Sequence, residues 1–190
     1  MTGPRERMVA SAALLIRERG AHPTAIADVL AHSGAPRGSA YHYFPGGRTQ
    51  LLCEAIDYAG DYVMAKLTEA DSAAALLDGM IATYRTQLLR SDFRAGCPVV
   101  AVSVEAGDPQ ADAPDPVVAR AGTVFTRWAA LISDRLRSDG AARDRADELA
   151  TLILSALEGA IVIARATRDI TPLDQIHGQL RTLLPEGTPS

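Results

Sequence analysis

The sequence predicts an all-α protein of about nine helices, on three observations. Hydrophobic residues fill 47% of the 190 positions while aromatics fill only 5%, so alanine carries much of the apolar content. Small side chains suit closely packed helices, whereas a sheet would draw on β-branched and aromatic residues. Apolar residues also recur every three or four positions, segment after segment, and glycine, proline or a short polar residue punctuates the segments.

In chain order, Met8, Ala12, Leu15 and Ile16 mark a first helix that Gly20 stops. Thr24 reads as the N-cap of a short second helix with Ile26, Val29 and Leu30, ended by Gly34. Pro36 opens a third, very short helix running to about Tyr43. After Pro45-Gly46-Gly47 a long helix begins, with Leu52, Ile56, Ala59, Val63 and Leu67 on one face. Ser72 caps a fifth helix striped by Leu77, Met80, Ile81, Tyr84 and Leu88.

CPVVAVSVEAG (97–107) is rich in valine, but Pro98 suits a first helical turn and no other segment offers a strand to pair with it. It is therefore assigned to a helix. An acidic, proline-rich loop follows over 107–116. Asp115-Pro116 starts a helix that turns Ala121, Val124, Phe125, Trp128, Leu131, Ile132 and Leu136 inward and stops at Ser138-Asp139-Gly140. The longest helix runs from about Ala142 to Arg168, and Thr171-Pro172-Leu173-Asp174 has the form of a capping box for the last one. No internal repeat is visible.

The net charge is −4, unevenly placed. Residues 1–52 hold six Arg/Lys against three Asp/Glu, and residues 53–190 hold thirteen against twenty. Only the mildly basic head suits a polyanion. Cys53 and Cys97 make neither a disulfide framework nor a C-x-x-C site, and His22, His32 and His177 have no metal-ligand spacing, so no metal or cofactor is expected. The run VASAALLI after Arg5 and Arg7 is short, is followed at once by RERG and lacks a cleavage site. No stretch reads as long enough to span a bilayer. A soluble, cytoplasmic protein is expected.

Catalytic patterns are missing. The chain has no G-x-S-x-G, H-E-x-x-H or P-loop, and Gly34-x-x-x-Gly38-Ser39 lacks the length and lysine of a phosphate loop. Asp147-Glu148 reads as a solvated helix face. The protein is not expected to be an enzyme.

The stretch SGAPRGSAYHYF (33–44) carries the functional signal. Two short helices joined by a glycine turn make a helix-turn-helix, whose second helix presents its N-terminal half to the DNA major groove. Arg37 can reach a phosphate or a guanine edge. Gly38, Ser39 and Ala40 are small enough to let the backbone approach the bases. Tyr41 and Tyr43 offer hydroxyls to phosphates or rings to thymine methyls, and His42 lies between them. Phe44 reads as a plug against the first helix. Thr24, at a helix N-terminus, and Arg48, just before the fourth helix, are further candidates for phosphate contact.

The order Thr24, Ile26-Ala27, Gly34, Gly38-Ser39-Ala40-Tyr41-His42-Tyr43-Phe44-Pro45, Arg48, Leu51-Leu52 resembles the DNA-binding domain of TetR-family (tetracycline-repressor-like) transcriptional regulators. FPGGR at 44–48 and GCPVV at 96–100 are similar to the LmrA/YxaF-like branch. Arg48 stands where the family usually has lysine, and Pro36 where it usually has a capping serine or threonine. The resemblance implies a helix-turn-helix domain over 1–50 and a larger helical ligand-binding and dimerisation domain over 51–190. It further implies a homodimer on a pseudo-palindromic double-stranded operator, repressing until a small molecule releases it. A constitutive DNA-binding regulator without a ligand, and an all-helical enzyme or carrier, are the alternatives.

Ala156, Ala160 and Ala164 place a small residue at every fourth position of the longest helix, with Gly159 beside them. With Leu173, Ile176, Leu180 and Leu183 of the last helix they form either a dimer seam or intramolecular packing. Candidate ligand-binding residues are Met80, Tyr84, Cys97, Val100, Val104, Phe125, Trp128 and Glu158. A flat hydrophobic molecule suits the aromatics, and a cationic one would also be answered by Glu158, a lone carboxylate in an apolar run. The other reading makes the aromatics plain core and turns Glu158 to solvent or the seam.

Overall fold

The helical spacing of apolar residues is realised throughout a computed structural model that describes residues 3–105 and 115–185. Among these residues there are nine helices and no strand: α1 (Pro4–Arg19), α2 (Ile26–Ser33), α3 (Ser39–Tyr43), α4 (Gly47–Thr68), α5 (Ala73–Arg90), α6 (Pro98–Ser103), α7 (Pro116–Ser138), α8 (Arg143–Thr167) and α9 (Thr171–Arg181). The valine-rich 97–107 segment does form a helix, with Pro98 in its first turn. Most of the acidic loop expected over 107–116 lies outside the described residues.

The chain divides into two units, Met1–Tyr62 with Cys97–Phe125, and Val63–Gly96 with Thr126–Ser190. This division differs from a cut at residue 50, because a later segment returns to complete the first unit. α4 and α7 each contribute residues to both.

In the first unit α1 packs against α2 and α6. Met8, Ala12, Ile16, Val29, Phe44, Leu51, Leu52 and Ile56 are essentially without exposed surface. Burial of a side chain such as Phe44 is worth about 1.5–3 kcal/mol. Its ring also lies 5.4 Å below the guanidinium of Arg5 on α1, as expected of a plug against the first helix. Gly60 is buried where α4 meets α7, and a Cβ there would come within 2.8 Å of a Val124 methyl.

In the second unit α5 packs against α8 and α9, and α8 against α9. Asp78 of α5 accepts from Arg181 at 2.8 Å and lies 2.6 Å from His177 Nε2, while Arg85 pairs with Asp174. Asp92 and Phe93 sit side by side in the left-handed region, at φ 51° and 58°. Arg168 holds this turn with a bond to Asp92 (2.6 Å) and a guanidinium 5.7 Å from the Phe93 ring centroid. The same guanidinium keeps the Asp92 carboxyl below the usual carboxylate range.

Several expectations need correction. Thr24 is not an N-cap; Ala25 holds that place, and Asp28 Oδ2 accepts from its N–H at 3.1 Å. α3 starts at Ser39 rather than Pro36, because the Pro36 carbonyl accepts both the N–H (3.0 Å) and the hydroxyl (2.7 Å) of Ser39 in a preceding turn. The capping box at Thr171 does not form. Asp169 Oδ1 accepts from the Thr171 N–H at 3.0 Å, which lowers the Asp169 pKa, and Asp174 is engaged by Arg85.

The alanine stripe of α8 faces inward: Ala160 and Ala164 are buried within the single chain, so they form no free seam. α8 also proves long and apolar enough to cross a bilayer, contrary to the reading that no stretch was. Its Leu149, Ile153, Leu157 and Ile161 are buried in the helical core instead.

The start of α5 is held from two sides. Ser72 Oγ accepts from the Ala75 N–H at 3.1 Å, and Asp139 Oδ2 from the Ala73 N–H at 2.6 Å. Ser72→Ala is expected to lower stability by about 1 kcal/mol. Thr171→Ala, which leaves its N–H bond in place, should cost about 0.5 kcal/mol or less. Urea denaturation midpoints of the two variants check the difference.

Candidate nucleic-acid interface

α2 and α3 are joined by a turn that the sequence enforces. Gly34 ends α2 at φ 65°, ψ 19°, a left-handed cap that costs glycine nothing. The chain then passes through Ala35 and Pro36 into the five residues of α3. The two faces of this short helix are sharply different. Ala40 and Phe44, four positions apart, are buried and anchor it to the core. Arg37, Gly38, Tyr41 and His42 are exposed, and Tyr41 keeps 74% of its surface.

Each residue singled out from the sequence now has a place. Arg37 stands in the turn before α3 and has no ion-pair partner among the described residues. At Gly38 a Cβ would meet nothing within 4 Å, so the fold does not itself require glycine there. Ser39 is half-buried, its hydroxyl turned back to Pro36. Tyr43 is half-buried, with its ring 5.2 Å from that of His42 at 65°. Ala40 is 1% exposed, so its smallness serves the packing beneath α3 and not an approach to bases.

Thr24 and Arg48 are corrected more fully. Thr24 is wholly buried and its hydroxyl donates to the Gly20 carbonyl at 2.7 Å, leaving no surface for a phosphate. Arg48 faces the protein. Its Nε donates to the Thr24 carbonyl at 2.9 Å, and its Nη2 to the carbonyls of Ala21 and of His22, the latter at 3.1 Å. A rigid planar fork can serve several carbonyls at once, which the single ammonium of lysine serves less well. That is a physical reason for arginine at this position.

Sequence reasoning missed Glu105. Its Oε1 accepts from the Ala21 N–H at 2.5 Å and its Oε2 from the His22 N–H at 2.9 Å. Nothing local marks it, since the contact joins positions more than eighty residues apart.

The candidate ligand-binding residues fall in both units. Met80, Tyr84, Trp128 and Glu158 belong to the second, where all four are buried; Glu158, at 8% exposure, does not point to solvent. Cys97, Val100, Val104 and Phe125 belong to the first. Cys97 is buried, Val100 and Phe125 are half-buried, and Val104 is 76% exposed just past α6, which removes it as an enclosing wall. Burial raises the pKa of the Cys53 thiol, opposed by Arg120. No group of three or more metal-ligating side chains occurs among the described residues.

Comparison with known proteins accords with this geometry. The family profile described as "Bacterial regulatory proteins, tetR family" matches residues 9–55, and that of "Transcriptional regulator LmrA/YxaF-like, C-terminal domain" matches residues 73–179. An HTH-type transcriptional regulator of Mycobacterium tuberculosis is 66% identical over 97% of this chain and 95% of its own length. The regulator YxaF of Bacillus subtilis is 30% identical over 95% and 94%. Among solved structures, the regulatory protein TetR from Rhodobacter sphaeroides shares the fold with a TM-score of 0.81 at 23% identity, covering 96% of this chain and all of that one. The two matched regions and the full-length relatives place this chain in the TetR family of transcriptional regulators, with a C-terminal domain of the LmrA/YxaF-like kind.

Proposed function

We propose that the protein is a ligand-responsive repressor of the cytoplasm that binds a pseudo-palindromic operator as a homodimer and is released by a small hydrophobic molecule. Binding, not catalysis, is its activity. The observation that carries the reading is α3 with its flanking residues, where Ala40 and Phe44 are buried while Arg37, Gly38, Tyr41 and His42 are exposed. A cation, a gap without a side chain and an exposed phenol are what a short helix needs at the floor of a major groove. Thr24 and Arg48 then act behind the interface, by shaping the turn before α2.

A second copy is proposed to pack on the outer face of α8, not on the alanine stripe. Leu152, Val162 and Ile163 are 43%, 51% and 52% exposed there. Ser155, Gly159 and Ala166 follow at helical spacing on the same side and are exposed. Gly159 has open space beyond it, which leaves room for a close helix crossing, and Leu183 after α9 adds a further exposed apolar group. The inducer is assigned to the buried set Met80, Tyr84, Trp128 and Glu158 of the second unit. A planar cation would stack on the aromatics and meet the carboxylate. Its binding would shift the population away from the DNA-competent form.

Three measurements test these readings. On a duplex selected by the protein from a random pool, Tyr41→Ala and Arg37→Ala should both weaken binding in an electrophoretic shift. If Arg37 reads a guanine, the loss is about 1–3 kcal/mol and preference relaxes at one base pair; if it holds a phosphate, the loss is uniform and the salt slope falls by about one. Unchanged affinity in both variants rejects α3 as the reader.

For the dimer, Val162→Glu should weaken association by about 3 kcal/mol or more, over a hundredfold in Kd, which sedimentation reads directly. A wild type already monomeric at micromolar concentration rejects the interface. For the inducer, titration of planar cationic dyes should change the emission of Trp128, the only tryptophan. Glu158→Gln should then weaken the cationic series by about tenfold while sparing neutral analogues. Binding that leaves the emission untouched rejects this pocket.

A further inference from the structure

The turn between α1 and α2 is gripped by opposite charges from two distant parts of the chain. On its N–H side both oxygens of one carboxylate, Glu105, take adjacent amides, Ala21 at 2.5 Å and His22 at 2.9 Å. On its carbonyl side the Arg48 guanidinium takes Ala21, His22 and Thr24. Gly20 completes the fit. It lies at φ 90°, and a Cβ built on it would run into Glu105 Oε1, so the missing side chain is the space the carboxylate occupies. Bonds from an ionised acceptor to backbone amides are among the stronger ones available to a protein.

This grip matters because little of α2 is buried. Val29 is its only fully buried residue. A helix with one buried anchor is aimed by its ends, and its far end leads through Gly34 into α3. We propose that Glu105 is a positioning residue for operator binding: by holding the amides of Ala21 and His22 it sets the direction of α2, and through it the presentation of α3. Glu105 lies two residues past α6, which packs on α1, so a displacement at the end of α6 reaches the reading helix through these two bonds. The proposal rests on the reading of α3 as the DNA-contacting helix.

The test uses the full-length protein and a duplex that the wild type selects from a random pool. Glu105→Ala is expected to lose about tenfold or more in affinity for that duplex. Affinity for a random-sequence duplex at low salt should stay within about twofold, since the exposed side chains of α3 are untouched and non-specific binding is carried by phosphate contacts. Hydrogen exchange at Ala21 and His22 should quicken at least about tenfold, with α5 and α8 as protected as before. Glu105→Gln, whose carbonyl oxygen can accept one of the two bonds, should recover part of the affinity.

The proposal is overturned if Glu105→Ala binds the selected duplex as the wild type does, if it loses both duplexes equally, or if Glu105→Gln is no better than Ala. It is overturned also if protection falls throughout α5 and α8, since the effect is then general unfolding. A wild type that selects no duplex at all overturns the DNA-binding reading and this proposal together; a wild type that selects one, with Glu105→Ala equal to it, overturns this proposal alone.

Discussion

Two N–H and three carbonyl groups of residues 21 to 24 have their polarity satisfied by one carboxylate and one guanidinium, and the geometry of the first unit turns on that arrangement. Apolar burial fixes α1, α4 and the underside of α3 through Met8, Ile16, Leu52 and Phe44. It does not fix α2, which sinks Val29 alone. The hydrophobic effect is non-directional, so it sets depth well and angle poorly. Hydrogen bonds to charged groups supply the angle, supported by the ion pair of Arg19 with Asp28 at 2.9 Å and the bond from Arg7 to the Ser33 carbonyl.

The second unit is organised differently. Its core is a broad apolar contact of α5, α8 and α9, built on residues such as Leu77, Leu88, Ile153, Leu157 and Leu173. The ion pairs of Asp78 and Asp174 lie at its surface and are partly exposed. Pairs of that kind contribute little each, because water screens them. The exception is local. Asp92 and Phe93 hold two consecutive left-handed conformations without glycine, a costly choice that the contacts of Arg168 offset.

What the sequence disclosed follows from what periodicity encodes. Repeats of three and four positions marked the longer helices, prolines marked the two shortest, and Gly34, Gly140 and Ser72 marked ends because backbone conformation and capping are local properties. The helix-turn-helix was visible because small, cationic and aromatic residues crowd into twelve positions. Periodicity says that a face is apolar without saying what covers it, and so the stripe of Ala156, Ala160 and Ala164 suggested a seam although Ala160 and Ala164 are interior. Thr24 has the composition of a cap, yet a hydroxyl has several acceptors within reach, and Gly20 won. Glu105 had no signature at all. Its role depends on a contact across 84 positions, and a carboxylate after a short helix is ordinary.

The first unit is discontinuous in the chain, running to Tyr62 and resuming at Cys97. On the ribosome this imposes an order. The helix-turn-helix emerges first, with the exposed face of α3 already encoded, while the carboxylate for Ala21 and His22 and the Val124 methyls against Gly60 come more than forty residues after α4 has begun to leave the exit tunnel. The nascent head is therefore chemically complete before it is geometrically complete. The last part of the first unit to be made is the part that braces the turn before α2, so a chain still being translated carries the residues of α3 before the bonds from Glu105 exist.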